Sequence, residues 1–432
     1  MSSLIKENAY DEAISRYFDF LNSHEAELLD FACRLIATPS QNPPGDERAA
    51  AKLVTEELKR LGISQIRQLA AKESRPNIIA QLQGAHAGRN LILCGHLDTK
   101  PAGDESAWLT DPLAPVVRDG RLIGLGSGDM KAAVAAMVYA AAALRTDSNL
   151  KGNLSLVFSA DEEAGSTLGS RWLAESGFLH AAAAIIGEPS GIEEEWEALH
   201  IVSRGAALFK VKVSGTQVHS SISDRVPTIN ATVMMARLID RMHRELKDHL
   251  TYEGHPYGGL GPTVNVGVMA KAGVYYGVYP GSAEFACDIR TLPGMTRDQM
   301  VQDLEKFLKR AMKDEPQLKA ELVFEAWVPA TEISPEEPVV QCLQTAAHTV
   351  LGNTPRLEAF PGATDAPQFQ LTAGIPTVAA FGPGLLPLAH SPNESLKIKS
   401  ILQAAKIYAL AAWRYLQQED SGVPDNGSRG RQ

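Results

Sequence analysis

The feature that most constrains the fold of this chain is a change of pattern near residue 200. Before it, short apolar segments typical of strands alternate with longer segments typical of helices, which indicates a mostly parallel α/β sheet. The predicted strands here are 77–82, 90–94, 154–158 and 183–186, and the predicted helices are 10–37, 49–61, 131–145 and 168–176. After it, strands with period-two alternation and two long helices follow the order βαββαβ.

The strand and helix pattern of the first part returns after about residue 330. We therefore predict one α/β domain made of residues 1–199 and 331–432, interrupted by an inserted α+β module at 200–330. The predicted elements of the module are strands 206–213, 263–269, 283–290 and 320–327 and helices 228–250 and 296–312. The later elements are helices 338–351 and 396–417 and strand 377–381. Residues 419–432 are predicted to be disordered.

Charge and cysteine content exclude several classes of protein. The chain of 432 residues has 41 Lys and Arg against 51 Asp and Glu, a net charge of −10, so no basic excess exists to neutralise a nucleic acid. Its four cysteines are widely spaced, as in a reducing compartment. The N-terminus has no apolar signal core, and the longest apolar run, 132–144, is too short to span a bilayer. We expect a cytoplasmic protein with no nucleic-acid or membrane partner.

Five short clusters of acidic residues and histidines follow predicted strands or loops, or open a predicted helix. They are His96-Leu-Asp98, Asp129-Met-Lys131, Asp161-Glu162-Glu163, Gly187-Glu188-Pro189 and His390-Ser-Pro-Asn-Glu394. Each alone has an ordinary explanation, such as a helix N-cap for Asp129 or a solvated acidic run at 161–163. Together they are more informative, because ligands gather at the carboxyl ends of strands in open α/β sheets.

Two histidines and three carboxylates suffice for two borderline metal ions if one carboxylate bridges them. Such a pair of ions polarises a carbonyl and generates a hydroxide nucleophile at neutral pH. The adjacent side chains of Glu162 and Glu163 point in different directions, so one can be a ligand while the other acts as a base. Asp98 is placed to hold the second ring nitrogen of His96. These residues predict a metal-dependent hydrolase.

In this order, the five motifs resemble those of the dinuclear-metal family of aminoacylase, acetylornithine deacetylase, succinyl-diaminopimelate desuccinylase and glutamate carboxypeptidase. The resemblance covers about residues 25–415. It implies a catalytic α/β domain with a mixed, mostly parallel sheet and an inserted ferredoxin-like lid, which agrees with the change of pattern near residue 200. It also implies two divalent metal ions, with zinc favoured and manganese or cobalt as alternatives.

The resemblance assigns roles residue by residue. It implies that His96 and Glu188 are ligands of one metal, that Glu163 and His390 are ligands of the other, and that Asp129 bridges them. Glu162 resembles the general base, which takes a proton from the attacking water and passes it to the leaving nitrogen. Asp98 resembles the residue that orients His96. The resemblance further implies a cis peptide bond between Asp129 and Met130.

The inserted module and one later loop also carry family-like residues. His219, in Gly215-Thr-Gln-Val-His219, resembles a lid histidine that stabilises the oxyanion, often in the partner subunit, which implies a homodimer through the lid. Asn265 and Arg290 resemble residues that hold a substrate carboxylate, and Arg suits this by bidentate hydrogen bonding. A structural salt bridge is the alternative for Arg290. Gly362 and Thr364 resemble the GGTD loop that lines the pocket.

This chain departs from the family pattern at Lys100, where the family has an apolar residue, and at Ala363, where it has a second glycine. Lys100 either meets an anionic substrate or pairs with Asp104 or Glu105, and we expect the pairing. The stretch 124–131, GLGSGDMK, also lacks the usual arginine. These departures leave the metal ligands intact and concern the substrate.

The sequence thus predicts a hydrolase that deacylates an N-acyl amino acid or cleaves a small peptide, acting on a small carboxylate-bearing substrate. One alternative is hydrolytic deamination of a carboxylated arylamine, as in a member resembling 5-nitroanthranilate aminohydrolase. Another is an inactive binding or scaffold homologue, which is disfavoured because every ligand and the base are present.

Overall fold

A computed structural model of the chain describes residues 2–257, 259 and 261–419. The helices in these ranges are α1 (Ser2–Ser23), α2 (Glu25–Ile36), α3 (Arg48–Arg60), α4 (Ala132–Leu144), α5 (Ser170–Glu175), α6 (Ala231–Glu245), α7 (Arg297–Asp314), α8 (Pro338–Leu351) and α9 (Ile398–Leu416). The strands are β1 (Gln65–Leu69), β2 (Asn77–Gln83), β3 (His86–His96), β4 (Val116–Arg118), β5 (Arg121–Ile123), β6 (Lys151–Ser159), β7 (Ala183–Ile186), β8 (Pro189–Gly191), β9 (Ala198–Ser203), β10 (Gly205–Ser214), β11 (Thr263–Ala272), β12 (Ser282–Thr291), β13 (Ala320–Val328), β14 (Thr331–Glu332), β15 (Arg356–Phe360), β16 (Thr377–Val378), β17 (Gly382–Leu385) and β18 (Ser395–Lys397).

The chain divides into two compact units. The first comprises the chain up to Ile201, Ile333–Glu358 and the chain from Thr364 onward, and the second comprises Val202–Glu332 and Ala359–Ala363. The short segment 359–363 was predicted in the α/β domain, yet it belongs to the second unit. Its backbone explains why, because the Ala359 N–H donates to the Tyr257 carbonyl and the Phe360 carbonyl accepts from the Arg204 N–H. The tail predicted to be disordered lies, apart from residue 419, outside the described residues.

The first unit is built on a six-stranded sheet with the order β1-β2-β6-β3-β7-β16. The pairs β6–β3, β3–β7 and β7–β16 are parallel, whereas β1–β2 and β2–β6 are antiparallel. The predicted mixed, mostly parallel sheet is therefore confirmed. One face of the sheet packs on α5 through an apolar cluster that includes Ile92, Val157, Leu173 and Phe369.

Helix α4 explains the long apolar run of the sequence. All of its residues, Ala132–Leu144, are buried, as expected for a helix that is apolar on every side. It packs against α9, α2 and β3, so the run forms the interior of the first unit. Across the described residues, none of the helices has both the length and the apolar character that crossing a membrane would demand.

The N-terminal helix predicted over 10–37 is two helices in the structure, because the backbone leaves helical geometry at His24. The Ser23 hydroxyl donates to the Phe20 carbonyl, and the His24 ring nitrogen Nδ1 lies 2.8 Å from the same oxygen. Two side chains thus contact a backbone carbonyl oxygen near the end of α1 in place of a helical N–H group. Such side-chain to backbone hydrogen bonds are a common cause of helix termination.

The second unit has the predicted βαββαβ order, formed by β10, α6, β11, β12, α7 and β13. Its four-stranded sheet has the order β11-β12-β10-β13 and is antiparallel throughout, which is the ferredoxin-like arrangement. Both helices pack on one face, where Phe209, Phe285, Leu304 and Phe307 are buried together. This unit therefore has a hydrophobic core of its own.

Candidate active site

Three parallel strands bring four acidic residues and one histidine to one edge of the sheet. In the register of β3 and β6, His96 lies opposite Ser159, so the segment 161–163 begins just beyond His96. In the register of β3 and β7, Cys94 lies opposite Ile186, which places Glu188 level with His96. The strand order β6-β3-β7 therefore explains how residues far apart in sequence converge.

The first group of possible metal ligands is His96, Asp129 and Glu188. The His96 Nε2 atom lies 2.9 Å from Asp129 Oδ1 and 3.6 Å from Glu188 Oε1. All three residues are buried, and one donor atom from each lies within 4.8 Å of the others. Imidazole and carboxylate donors at this spacing fit a divalent cation such as zinc, manganese or cobalt.

The second group is Asp129, Glu163 and His390. The His390 Nε2 atom lies 3.1 Å from Glu163 Oε1 and 3.2 Å from Asp129 Oδ2. Asp129 thus offers Oδ1 to the first group and Oδ2 to the second. A shared carboxylate is the arrangement that a two-metal hydrolytic centre requires.

Asp129 is held in place by a carboxylate that the sequence analysis did not assign. Glu394 is buried and accepts hydrogen bonds from the backbone N–H groups of Gly126, Gly128 and Asp129 at 2.7–2.9 Å. Gly126 has a φ of +77°, and a Cβ atom there would lie 2.4 Å from the Thr99 side chain, so this turn requires glycine. The peptide bond between Asp129 and Met130 is cis, as expected from the resemblance.

The Asp98 carboxylate is not the closest partner of His96. His96 Nδ1 lies 2.9 Å from the backbone carbonyl of Asp98 and 3.7 Å from its carboxylate. The carboxylate instead accepts from the side chain of Asn42 and from the backbone N–H groups of Glu162 and Glu163. Asp98 therefore contacts His96 through its backbone and positions the Glu162–Glu163 turn through its side chain.

A buried ion cluster lies behind this turn. Arg75 forms two hydrogen bonds with Glu47, at 2.6 and 2.7 Å, and a 3.0 Å ion pair with Asp161. The Asn42 amide links Asp161 to Asp98. Both Arg75 and Glu47 are buried, so their charges compensate each other away from water. Arg75 and Glu47 could not be predicted as partners from sequence, because neither residue lies in a motif or follows a predicted strand.

The electrostatics of the site are those of crowded, buried charges. Burial lowers the pKa of His96, but its hydrogen bond with Asp129 and the charge of Glu188 outweigh burial and raise the pKa well above its usual range. Burial and the charge of Asp129 raise the pKa of Glu188. Burial opposes ionisation of Asp129, yet hydrogen bonds from both histidines hold its pKa below the usual range. Bound cations would relieve this mutual repulsion of carboxylates.

Glu162 lies beside Glu163 on a short 3-10 turn at residues 162–164. Burial raises its pKa well above the usual range, and the nearby charges of Asp365 and Glu163 act in the same direction, against that of His96. Its carboxylate belongs to neither group of possible metal ligands in the described residues. The geometry therefore leaves Glu162 available as a base.

The expected pairing of Lys100 with Asp104 or Glu105 is wrong. Its Nζ atom lies 3.3 Å from Glu163 Oε2 and also donates to the Glu163 backbone carbonyl. Asp104 instead accepts from the backbone and side chain of Ser106 and caps the turn at Glu105–Ala107. The partner of Lys100 is distant in sequence, because the end of β3 directs Lys100 towards the end of the neighbouring β6.

The other predicted site residues belong to different places. Thr364 is buried in the first unit, where its hydroxyl accepts from the Ala366 N–H. His219, Asn265, Arg290 and Gly362 belong to the second unit. His219 is exposed and bonded to Ser221 through Nδ1, and Asn265 is exposed on β11.

Arg290 forms a 2.9 Å ion pair with Asp288, two residues before it on β12. The salt bridge considered from sequence is therefore present. The guanidinium is about one-third exposed, so the ion pair leaves part of it accessible to another anion.

Two groups of possible ligands share one carboxylate, and a glutamate that belongs to neither group lies beside them, which is the arrangement that a dinuclear metallohydrolase centre requires. A family profile confirms this class, because residues 92–414 match the peptidase family M20/M25/M40. The chain belongs to this family, whose members include dinuclear metal-binding peptidases. It is accordingly a metallo-hydrolase that acts on amide bonds, which confirms the predicted enzyme class.

Two relatives extend over most of this chain. It is 29% identical over 391 residues to succinyl-diaminopimelate desuccinylase of Parvibaculum lavamentivorans, covering 88% of this chain and 93% of the relative. It is 31% identical over 338 residues to acetylornithine deacetylase of Myxococcus xanthus, covering 78% and 83%. The family resemblance predicted from the motifs is thereby confirmed.

Among solved structures, the di-peptidase Dug1p of Saccharomyces cerevisiae matches with a TM-score of 0.76. The match covers 94% of this chain and 99% of that chain at 17% sequence identity. At that identity the likeness establishes the fold, which agrees with a catalytic domain and an added lid-type module.

Proposed function

We propose that this enzyme removes the acyl group from an N-acyl amino acid or cleaves a small peptide, with two divalent cations at the candidate centre. The observation that carries the proposal is the shared carboxylate of Asp129, which joins the His96–Glu188 pair to the Glu163–His390 pair. Two relatives named as a desuccinylase and a deacetylase support amide-bond cleavage on an amino-acid derivative.

His96, Asp129 and Glu188 would hold one cation, and Asp129, Glu163 and His390 the other. When bound, the pair of cations would polarise the scissile carbonyl and make the attacking water more acidic. The donor set favours zinc and also suits manganese or cobalt. The residues present therefore fit the cofactor that the family implies.

The chain's own residues account for the proton transfers. Glu162 takes a proton from the attacking water as the new C–O bond forms at the acyl carbon. It then gives that proton to the departing nitrogen as the C–N bond breaks, which yields a carboxylic acid and a free amine. Asp98 fixes the backbone of Glu162 and Glu163, so the base and the ligand keep their different orientations.

We assign the binding of the substrate's own carboxylate to cationic and amide side chains. Arg290, with its exposed portion, and Asn265 suit a carboxylate, and His219 suits a developing oxyanion. Gly362, Thr364 and Lys100 complete the proposed substrate-binding set. The family resemblance supports these assignments except that of Lys100, at which this chain departs from the family pattern.

We also propose that the enzyme is a homodimer through its second unit and acts in the cytoplasm, with no nucleic-acid or membrane partner. Strand β11 is the edge of the four-stranded sheet and is mostly exposed, so its backbone can pair with another strand. Large exposed side chains lie on this strand, at Met269, and just after it, at Val274, Tyr275 and Tyr276. Sedimentation equilibrium tests the dimer, and a monomer at micromolar concentration would contradict it.

A substrate panel tests the reaction. The zinc-loaded enzyme is assayed with N-acetyl and N-succinyl amino acids, dipeptides and an aminobenzoate, and free amine and ammonia are measured. Hydrolysis of an N-acyl amino acid or a dipeptide is expected. Ammonia release from the aminobenzoate without activity on the amides would instead support the arylamine reaction.

A further inference from the structure

Lys100 places a positive charge directly against one ligand of the second group. Its ammonium lies 3.3 Å from Glu163 Oε2, while His390 Nε2 lies 3.1 Å from the other oxygen, Oε1. The carboxylate is therefore held from both sides. The Lys100 side chain is 36% exposed and that of Glu163 only 4%, so the ion pair is partly shielded from water.

The first group has no such cation. The ion pairs of Glu188 and Asp129 within the described chain are formed with His96 and His390, and neither carboxylate pairs with a lysine or arginine. Because the two groups share Asp129, they differ in the charge beside their other ligands. Lys100 adds one positive charge next to the second group only. An asymmetry between the groups follows from this single residue.

We propose that Lys100 weakens divalent-cation binding at the second group, so that the second metal is loaded last and released first. This inference rests on the dinuclear centre of the proposed function. A divalent cation at Glu163 must share that carboxylate with the ammonium or displace it, and either outcome opposes binding. For unit and double charges about 5 Å apart in a water-like dielectric, the Coulomb energy corresponds to an affinity change of about tenfold.

Single-group variants isolate the effect. His96→Ala leaves the second group intact, and His390→Ala leaves the first group intact. Lys100→Met is introduced into each background, and Zn²⁺ binding to the metal-free protein is measured by equilibrium dialysis in buffered Zn²⁺. We expect Zn²⁺ affinity to rise about tenfold in the His96→Ala background and to change less than twofold in the His390→Ala background.

Two controls separate charge from size and position. Lys100→Arg retains the positive charge and should keep the weak second site. Lys52→Met removes an exposed lysine on α3 that pairs with Glu56, and should leave both groups unchanged. Circular dichroism checks that each variant is folded.

A second measurement avoids the ligand substitutions, in case these unfold the protein. Zn²⁺ loss from the fully loaded enzyme to an excess of chelator should be biphasic. Lys100→Met should slow the fast phase about tenfold and leave the slow phase unchanged. Equal effects on both groups, or no effect on either, would overturn the role of Lys100. A chain that binds Zn²⁺ at neither group would overturn the dinuclear centre itself.

Discussion

The backbone N–H of Asp129 donates a 2.9 Å hydrogen bond to the carboxylate of Glu394, which lies 265 residues later in the chain. The loop that supplies His390 therefore also fixes the backbone of the shared ligand, because Glu394 follows His390 by four residues. Two further N–H groups, of Gly126 and Gly128, complete the contact. One buried carboxylate thus joins the loop that carries His390 to the turn that carries Asp129.

Replacing that carboxylate should loosen the whole centre. In Glu394→Gln an amide NH₂ faces N–H donors, which leaves buried groups unsatisfied at a cost of about 1–3 kcal/mol in the free energy of unfolding. Zn²⁺ affinity should fall about 10–100-fold at both groups, as for other residues that orient ligands. Urea unfolding and equilibrium dialysis measure the two effects. Glu175→Gln, which alters an exposed ion pair with Arg171, is the control, and equal Zn²⁺ affinities in the two variants would refute this role.

Removing one partner of the buried pair of Arg75 and Glu47 should destabilise the protein more than removing both. Arg75→Met leaves Glu47 buried without its partner and should destabilise the protein by about 3–5 kcal/mol. The double variant Arg75→Met/Glu47→Leu should recover part of that loss, because it removes the Glu47 charge and leaves only Asp161 without its arginine. Denaturant titration of metal-free protein measures both.

The matched control is Arg48→Met, which breaks an exposed ion pair with Asp46. It should leave the unfolding midpoint unchanged, because exposed pairs contribute little. If Arg75→Met were as mild as Arg48→Met, the buried cluster would not stabilise the Glu162–Glu163 turn.

Loss of the proposed base should separate chemistry from metal binding. Glu162→Gln is nearly isosteric and should lower kcat by about 10²–10⁴-fold with two Zn²⁺ ions still bound per chain. Steady-state kinetics and metal analysis on the same sample provide the test. If this variant lost a metal ion while Glu163→Gln retained two, the roles of the two glutamates would be exchanged.

Cys287, in the core of the second unit, gives a pH dependence away from the metal centre. Burial raises the pKa of its thiol to about 11, against a usual 9.0. The unfolded state therefore loses the thiol proton at lower pH than the folded state. The folded state is therefore most stable, with respect to this thiol, below pH 9. Its free energy of unfolding falls by about 3 kcal/mol between pH 9 and 11.

Unfolding free energies of the wild type and Cys287→Ala between pH 8 and 11 test this, because other titrating groups are common to both. The wild type should lose stability more steeply above pH 9. Parallel curves would show that the thiol does not titrate differently in the two states.

Much of the fold could be predicted because local pattern and tertiary environment agree. Helix α8 and strand β7 have the predicted bounds, and both are apolar segments with clear limits. The βαββαβ order of the second unit was likewise readable, because period-two strands alternate there with amphipathic helices. Short strands were not predicted, because they have too few residues to show a hydrophobic period.

One missed element did have a signal. The hairpin of β4 and β5 turns at Asp119-Gly120, both with positive φ, and Asp-Gly between two short segments that contain apolar residues is a strong hairpin pattern. Strand β9 had no such signal, because its six buried residues are indistinguishable from part of a buried helix.

For the candidate site, sequence could predict the residues at strand ends but not their partners. Chain order places ligands after strands, and the parallel register brings them together. The contacts of Lys100 and Glu394 depend on which loops face each other, and this is decided by the sheet order rather than by local sequence. Glu394 nevertheless lies in the motif His390-Ser-Pro-Asn-Glu394, where an acidic residue four positions after His390 was the available signal.

Metal stoichiometry tests the central claim most directly, because the account requires one carboxylate to serve both groups. Zn²⁺ bound per chain is measured after dialysis for the wild type and for Glu188→Ala, Glu163→Ala and Asp129→Ala. We expect two ions for the wild type, one for each of the glutamate variants, and none at comparable affinity for Asp129→Ala. Two ions retained by Asp129→Ala, or a single ion bound by the wild type, would contradict it.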